Sequence, residues 1–104
     1  MRYVRGNVYW ADIGHGEKPW VVVSNNARNS ALGSALVARI TTSDKPPLDS
    51  IVVLEHHDAP FTGRVLCDDI ETLYDDDPVR HGGALRPATI LRIDKALRVA
   101  FALR

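Results

Sequence analysis

Lys18-Pro19-Trp20-Val21-Val22-Val23-Ser24-Asn25-Asn26 is the stretch on which the fold of this chain turns. From Pro19 to Ser24 it is almost continuously apolar and β-branched, the pattern of a central strand buried on both faces. The proline fits the first position of such a strand, where a missing ladder donor costs least. Ser24-Asn25-Asn26-Ala27-Arg28-Asn29 is rich in capping and turn residues and predicts a loop or one helical turn. Upstream, Val8-Tyr9-Trp10-Ala11-Asp12-Ile13 reads as a first strand, and Gly14-His15-Gly16-Glu17 as the short turn that returns the chain. Downstream, Ala35 to Thr42 is a third strand. Its period-two alternation places Leu36, Ala38 and Ile40 on one face and Val37, Arg39 and Thr41 on the other. Thr41 thereby shares a face with a cation.

The remainder follows the same punctuation. Asp44-Lys45-Pro46-Pro47 cannot continue a strand and forms an exposed loop. Ser50 to Glu55 and Gly63 to Cys67 read as fourth and fifth strands, and Ile70 to Leu73 continues the fifth after a kink at Asp68-Asp69. Asp75-Asp76-Asp77-Pro78 breaks regular structure. The one long helix comes last, from about Pro87 to Leu103, with proline suited to its first turn. Ile90, Ile93, Leu97, Ala100 and Phe101 form its apolar stripe, opposite Arg92 and Lys95. The expected architecture is one domain, residues 1–104, mainly β with a C-terminal helix. Its five or more short strands form a partly open barrel or strongly bent sheet.

The composition of the 104 residues, 45% apolar and 25% charged, is that of an ordinary globular protein. No apolar run approaches the roughly 20 residues that span a bilayer, so no membrane partner is expected. The opening Met1 to Gly6 lacks the apolar core of a signal peptide. Cys67 stands alone and reads as a small buried hydrophobe, in keeping with a reducing cytoplasm. The formal net charge of zero conceals an uneven distribution. Residues 1–47 hold six Lys/Arg and three Asp/Glu, residues 48–77 one against nine, and residues 78–104 six against one. Folding either gathers the basic ends into a phosphate-attracting surface or pairs them with the acidic middle. The sequence leaves both open.

Two strand ends carry the chemistry. Lys18 stands before the second strand, and Arg39-Ile40-Thr41-Thr42-Ser43 closes the third. A cation and a hydroxyl on neighbouring strands suit the holding and cleavage of a phosphodiester. His56-His57 offers no metal site: neighbours on a strand point to opposite faces and no third ligand lies at useful spacing.

Four segments, in order and spacing, resemble the MazF/PemK-type toxins, the endoribonuclease half of a bacterial toxin–antitoxin pair. They are Arg5-Gly6-Asn7-Val8-Tyr9-Trp10-Ala11-Asp12, Lys18 to Asn25, Arg39 to Ser43, and Val65-Leu66-Cys67-Asp68-Asp69-Ile70-Glu71-Thr72-Leu73. The resemblance implies an SH3-like small barrel of the CcdB/MazF/Kid toxin type, paired as a homodimer in the cytoplasm. It implies cleavage of single-stranded RNA at short sequence motifs, with no cofactor and no metal. The RNA's own 2′-hydroxyl attacks, leaving a 2′,3′-cyclic phosphate and a 5′-hydroxyl. Carried over by position, Lys18 and Thr41 are the catalytic pair. His15, Glu17, Asn25, Thr42, Ser43 and Asp69 are the RNA contacts, with Thr42 and Ser43 on phosphate and His15 also placed to assist proton transfer. A cognate antitoxin, its disordered tail lying in the RNA groove, is the implied partner, and operator DNA is reached only through that complex.

The chain departs from the family pattern in three places. Lys18 replaces the usual arginine, keeping the charge but losing the planar fork. The loop Gly14 to Glu17 is short. Asp69 and Glu71 stand where glutamine and arginine are common, which implies a different base preference. Trp10, Trp20 and Tyr9 are aromatic candidates for stacking on unpaired bases, with Trp20 also suited to the core. Two alternatives fit the same fold: a non-enzymatic barrel toxin that inhibits DNA gyrase, and a catalytically inert SH3-like binding module.

Overall fold

The computed structural model describes residues 2–104. Six strands form one antiparallel sheet in the order β4-β5-β3-β2-β1-β6. They are β1 (Asn7–Asp12), β2 (Glu17–Val22), β3 (Ser34–Thr41), β4 (Ile51–Val53), β5 (Arg64–Tyr74) and β6 (Arg80–Ala84). Helix α1 (Asn26–Leu32) lies between β2 and β3, and helix α2 (Pro87–Ala100) follows β6 and packs on β5 and β4. The sheet has two free edges, β4 and β6, so it is bent rather than closed.

Alternation along the central strands sends apolar side chains to both faces, and each face has its own core. Val8, Val21, Ala38, Ile40, Val65 and Cys67 pack beneath α2 through Ile93 and Ala96. Tyr9, Ala11, Trp20, Val22, Ala35, Val37 and Leu73 form the second cluster, closed by Tyr3. The expectation that Pro19 to Ser24 is buried on both faces is met, and so is the alternation along β3.

Two register shifts bend the sheet. Between β3 and β5, Ala38 opposes Ile70 while Arg39 opposes Leu66, leaving Cys67, Asp68 and Asp69 as a bulge. This is the kink expected at the paired aspartates, accommodated within one long strand. Between β1 and β6, Val8 opposes Gly83 and Tyr9 opposes His81, with Gly82 left over. A bulge accentuates local twist and bends the strand that carries it.

Several expectations need correction. Strand β6 was not foreseen, because Arg80-His81-Gly82-Gly83-Ala84 has almost no strand-forming side chains. Glycine is needed at its centre: a Cβ on Gly82 would lie 2.7 Å from Trp10 Nε1. The fourth strand is only three residues long, and His56-His57 lies in a 3₁₀ turn (His56–Asp58) rather than on a strand. The segment after Ser24 forms two helical turns. Asn25 caps them by accepting from Arg28 N at 2.7 Å, and Gly33 closes them in the left-handed region. Pro19 is the third residue of β2, paired with Trp10, and not the first. Helix α2 ends at Ala100, and Phe101 is 57% exposed rather than part of the buried stripe. Tyr9 is buried and donates its hydroxyl to Arg2 O, which removes it from the base-stacking candidates. Cys67 is fully buried, and its thiol is pushed up to about 12 by burial and by Asp68 beside it.

One buried carboxylate ties the helix to the sheet. Asp58, 1% exposed, accepts from Thr89 Oγ1 at 2.8 and 2.9 Å, from Arg86 N at 3.1 Å and from Glu55 N at 3.3 Å. It satisfies the first turn of α2 in place of a local side-chain cap, which Arg86 does not provide. Burial pushes its pKa up, but the hydrogen bonds from Arg86, Thr89 and Glu55 outweigh this and hold it below the ordinary carboxylate value. A depressed folded-state pKa contributes stability above the unfolded value of about 3.9, and that stability is lost as pH falls through the folded value. Asp58→Asn is therefore expected to cost about 1–3 kcal/mol at neutral pH. Its melting temperature should also depend less on pH in the acid limb than that of the wild type.

Candidate active site

The site lies where the pairing of two neighbouring strands ends. In an antiparallel sheet the N–H and C=O of one residue point to the same neighbouring strand, and successive residues alternate. Val23 N donates to Leu36 O on the β3 side at 3.0 Å, while Val22 O accepts from Gly6 N on the β1 side at 2.9 Å. By alternation Val21 and Pro19 face β3, and Trp20 and Lys18 face β1. Pro19 has no N–H to give, so the β2–β3 ladder stops at Trp20 opposite Arg39. The β1–β2 ladder continues to Asp12 opposite Glu17. Strand β2 thus stays paired with β1 beyond the point where its ladder with β3 ends, and Lys18 and Thr41 both lie past that end.

A cavity of about 300 Å³ lies there. Strand β2 contributes Glu17, Lys18 and Pro19, and the end of β3 contributes Arg39 to Ser43. Trp10 and the segment Pro60-Phe61-Thr62 complete the lining. A smaller cavity of about 80 Å³ is lined by Ile13, His15, Gly16, Trp20, Asp69 and Glu71. Lys18 and Arg39 line both.

Each polar group has a defined state. Lys18 is half-buried, with no carboxylate oxygen within 4 Å among the described residues. Thr41 is 7% exposed, and its Oγ1 accepts from Ser43 N at 3.1 Å, leaving the hydroxyl proton free to donate. Around the rim, Arg80 donates to Glu17 at 2.7 Å and lies over the Trp10 ring at 5.2 Å. Arg64 pairs with Asp44 at 3.5 Å. Arg39 Nη1 stands 3.8 Å from Asp69 Oδ2, and Arg39 Nε and Trp20 Nε1 are buried without hydrogen-bond partners.

The structure therefore brings together most of the residues singled out in the sequence. Lys18, Thr41, Thr42, Ser43 and Glu17 line the larger cavity, and His15 and Asp69 line the smaller. Asn25 lies outside both, occupied as the cap of α1. The basic ends are divided: Arg80 reaches the site, while Arg5 pairs with Asp94 and Arg92 with Glu55. Sequence reasoning missed Pro60, Phe61 and Gly63, whose neighbours are set by tertiary packing alone.

Comparison with known proteins agrees with this geometry. Residues 4–101 match the PemK-like, MazF-like toxins of type II toxin–antitoxin systems. The chain belongs to this family. Over 100 residues it is 41% identical to endoribonuclease MazF4 of Mycobacterium tuberculosis H37Rv, covering 96% of this chain and 93% of the relative. The same identity and coverage hold for endoribonuclease MazF1 of Mycobacterium bovis. An endoribonuclease solved in complex with its cognate antitoxin, from a mycobacterial species, superposes with a TM-score of 0.90 at 40% identity, covering 97% of this chain and 96% of that one. A MazE–MazF complex from Deinococcus radiodurans, 19% identical, shares the fold at a TM-score of 0.83, covering 100% of this chain and 99% of that one. The expected fold, mainly β with a C-terminal helix and of the MazF type, is met.

Within this toxin fold, Gly63 holds Thr41 in place. Its φ is +99°, and a Cβ there would fall 2.1 Å from the Thr41 carbonyl oxygen. Gly63→Ala combines a disfavoured backbone with a clash that only movement of Thr41 relieves. The variant is expected to lose about 1–3 kcal/mol of stability. Amide shifts in an NMR spectrum should concentrate at residues 41–43 and 63–65 rather than spread through the sheet.

Proposed function

We propose that this toxin is an endoribonuclease that cuts single-stranded RNA at a short sequence motif. The observation that supports this reading is one cavity of about 300 Å³ lined by Lys18 from the start of β2 and by Thr41 from the end of β3. The names of the mycobacterial relatives support it.

In this mechanism the 2′-hydroxyl oxygen attacks the adjacent phosphorus. A P–O2′ bond forms and the P–O5′ bond breaks, giving a 2′,3′-cyclic phosphate and a 5′-hydroxyl end. Charge builds on the non-bridging oxygens of the phosphorane. The Lys18 ammonium stabilises that charge and Thr41 Oγ1 donates a hydrogen bond to it, both acting where the charge develops. Two protons must move, one off the 2′-hydroxyl and one onto the leaving 5′-oxygen. We assign Lys18 as the donor for the second and His15, which lines the small cavity with it, as the acceptor of the first. Thr42 and Ser43 hold a flanking phosphate. Glu17 and Asp69 accept from base edges, and Trp10 offers its ring to an unpaired base. No step calls on a metal or a cofactor.

By the same reading the protein works in the cytoplasm as a homodimer. A cognate antitoxin neutralises it by laying a disordered acidic tail along the RNA groove, where Lys18 has no carboxylate partner among the described residues. A carboxylate there meets the same cation as a phosphate does.

The test is total RNA incubated with the purified protein in EDTA, followed by mapping of 5′ ends. Discrete 5′-hydroxyl ends at one motif are expected. Lys18→Ala and Thr41→Ala should each lower the rate by about 10²–10³-fold while remaining folded. Intact RNA from folded wild-type protein would overturn the ribonuclease reading in favour of a toxin that acts by binding.

A further inference from the structure

We propose that Arg39 is a second catalytic cation, its guanidinium donating to the non-bridging oxygens of the scissile phosphate beside Lys18 and Thr41. This rests on the ribonuclease reading above and assigns a further residue to the same site.

Position is the first argument. Arg39 precedes Thr41 by two residues on β3 and so lies on the same face, and it is paired with Trp20, two residues after Lys18. Of all the lining residues, only Lys18 and Arg39 border both cavities. Two half-buried cations held at one place repel each other, and an anion between them relieves that cost.

The second argument is unmet bonding. Arg80, Arg92 and Arg28 each make a side-chain hydrogen bond within 3.2 Å. Among the described residues Arg39 makes no such bond: Nε is buried without a partner, and Asp69 Oδ2, at 3.8 Å, is an ion-pair neighbour but not a hydrogen-bond acceptor. Asp69, left in the β5 bulge between the partners of Ala38 and Arg39, reaches Arg39 as an ion pair without a hydrogen bond. Such a group gains more from an incoming anion than one whose donors are already hydrogen-bonded.

Chemistry supplies the third. Lys18 is a compact point charge and Thr41 a neutral donor, whereas a phosphorane spreads its charge over two non-bridging oxygens. A planar guanidinium presents two parallel donors that fit such a pair. No proton moves in this role, since arginine stays protonated.

The test uses an oligoribonucleotide carrying the mapped motif, with sulfur replacing either non-bridging oxygen at the scissile phosphate. Cleavage is followed in a single turnover with wild type, Arg39→Ala and Arg39→Lys, each checked for an unchanged melting temperature. Arg39→Ala is expected to slow the all-oxygen substrate by about 100-fold. The sulfur isomer that slows the wild type should cause no further slowing in this variant. Arg39→Lys should fall between the two, and it carries the test if the alanine variant does not fold. Wild-type rates in both variants, or a sulfur effect that survives intact in a slowed variant, would overturn the proposal alone. RNA left uncut by the wild type would overturn it together with the reading on which it rests.

Discussion

Pro19 cannot donate a hydrogen bond to β3, and the geometry of the site follows from that one missing proton. Strand β2 is held to β1 along its whole length but to β3 only as far as Trp20. Beyond that point the two ladders compete for β2 on unequal terms, because one has lost a bond. The strand stays paired with β1 there, and the cavity lies between its first residues and the end of β3. Side chains from both faces reach the gap: Trp10, Pro19 and Ile40 by one parity, Lys18, Arg39 and Thr41 by the other. Apolar wall and polar donors then meet in one cavity without any loop having to carry them.

The rest of the fold keeps that opening from collapsing. Each face of the sheet has a packed core, so the strands cannot slide to recover the lost pairing without exposing one face or the other. The bulge at Cys67 to Asp69 sits opposite the junction of Ala38 and Arg39, where the ladder on the other side of β3 ends. Gly63 allows the start of β5 to press on the Thr41 carbonyl. Asp58 anchors α2 on the inner face. These contacts are local and small, yet together they fix a cation and a hydroxyl on separate strands.

Much of this could be read in the sequence where apolar period and turn residues agree. The central strands, the α2 register and the sharing of one face by Arg39 and Thr41 all follow from spacing. What escaped has a common cause. Strand β6 forms because Gly82 lets Trp10 approach, a reason that lies on another strand. Asp58 caps a helix 28 residues away from it in sequence, so α2 shows no local N-cap signal. Pro60 and Phe61 enter the cavity wall by packing. Pro19 itself was visible as a strand residue without a donor. Its position within the strand, and the side on which the donor is missing, emerged only with the neighbours in place.

Pro19→Val is the most direct measurement, because it restores the missing donor without changing any group in the proposed chemistry. Amide hydrogen exchange at residues 18–20, measured beside RNA cleavage, reads both halves of the account. If the proline holds the site open, the amide introduced at position 19 is protected by Ile40 across the extended ladder and the fold stays intact. Cleavage then falls by at least about tenfold, as expected for misplaced catalytic groups. A freely exchanging amide at position 19 with cleavage at the wild-type rate would contradict it.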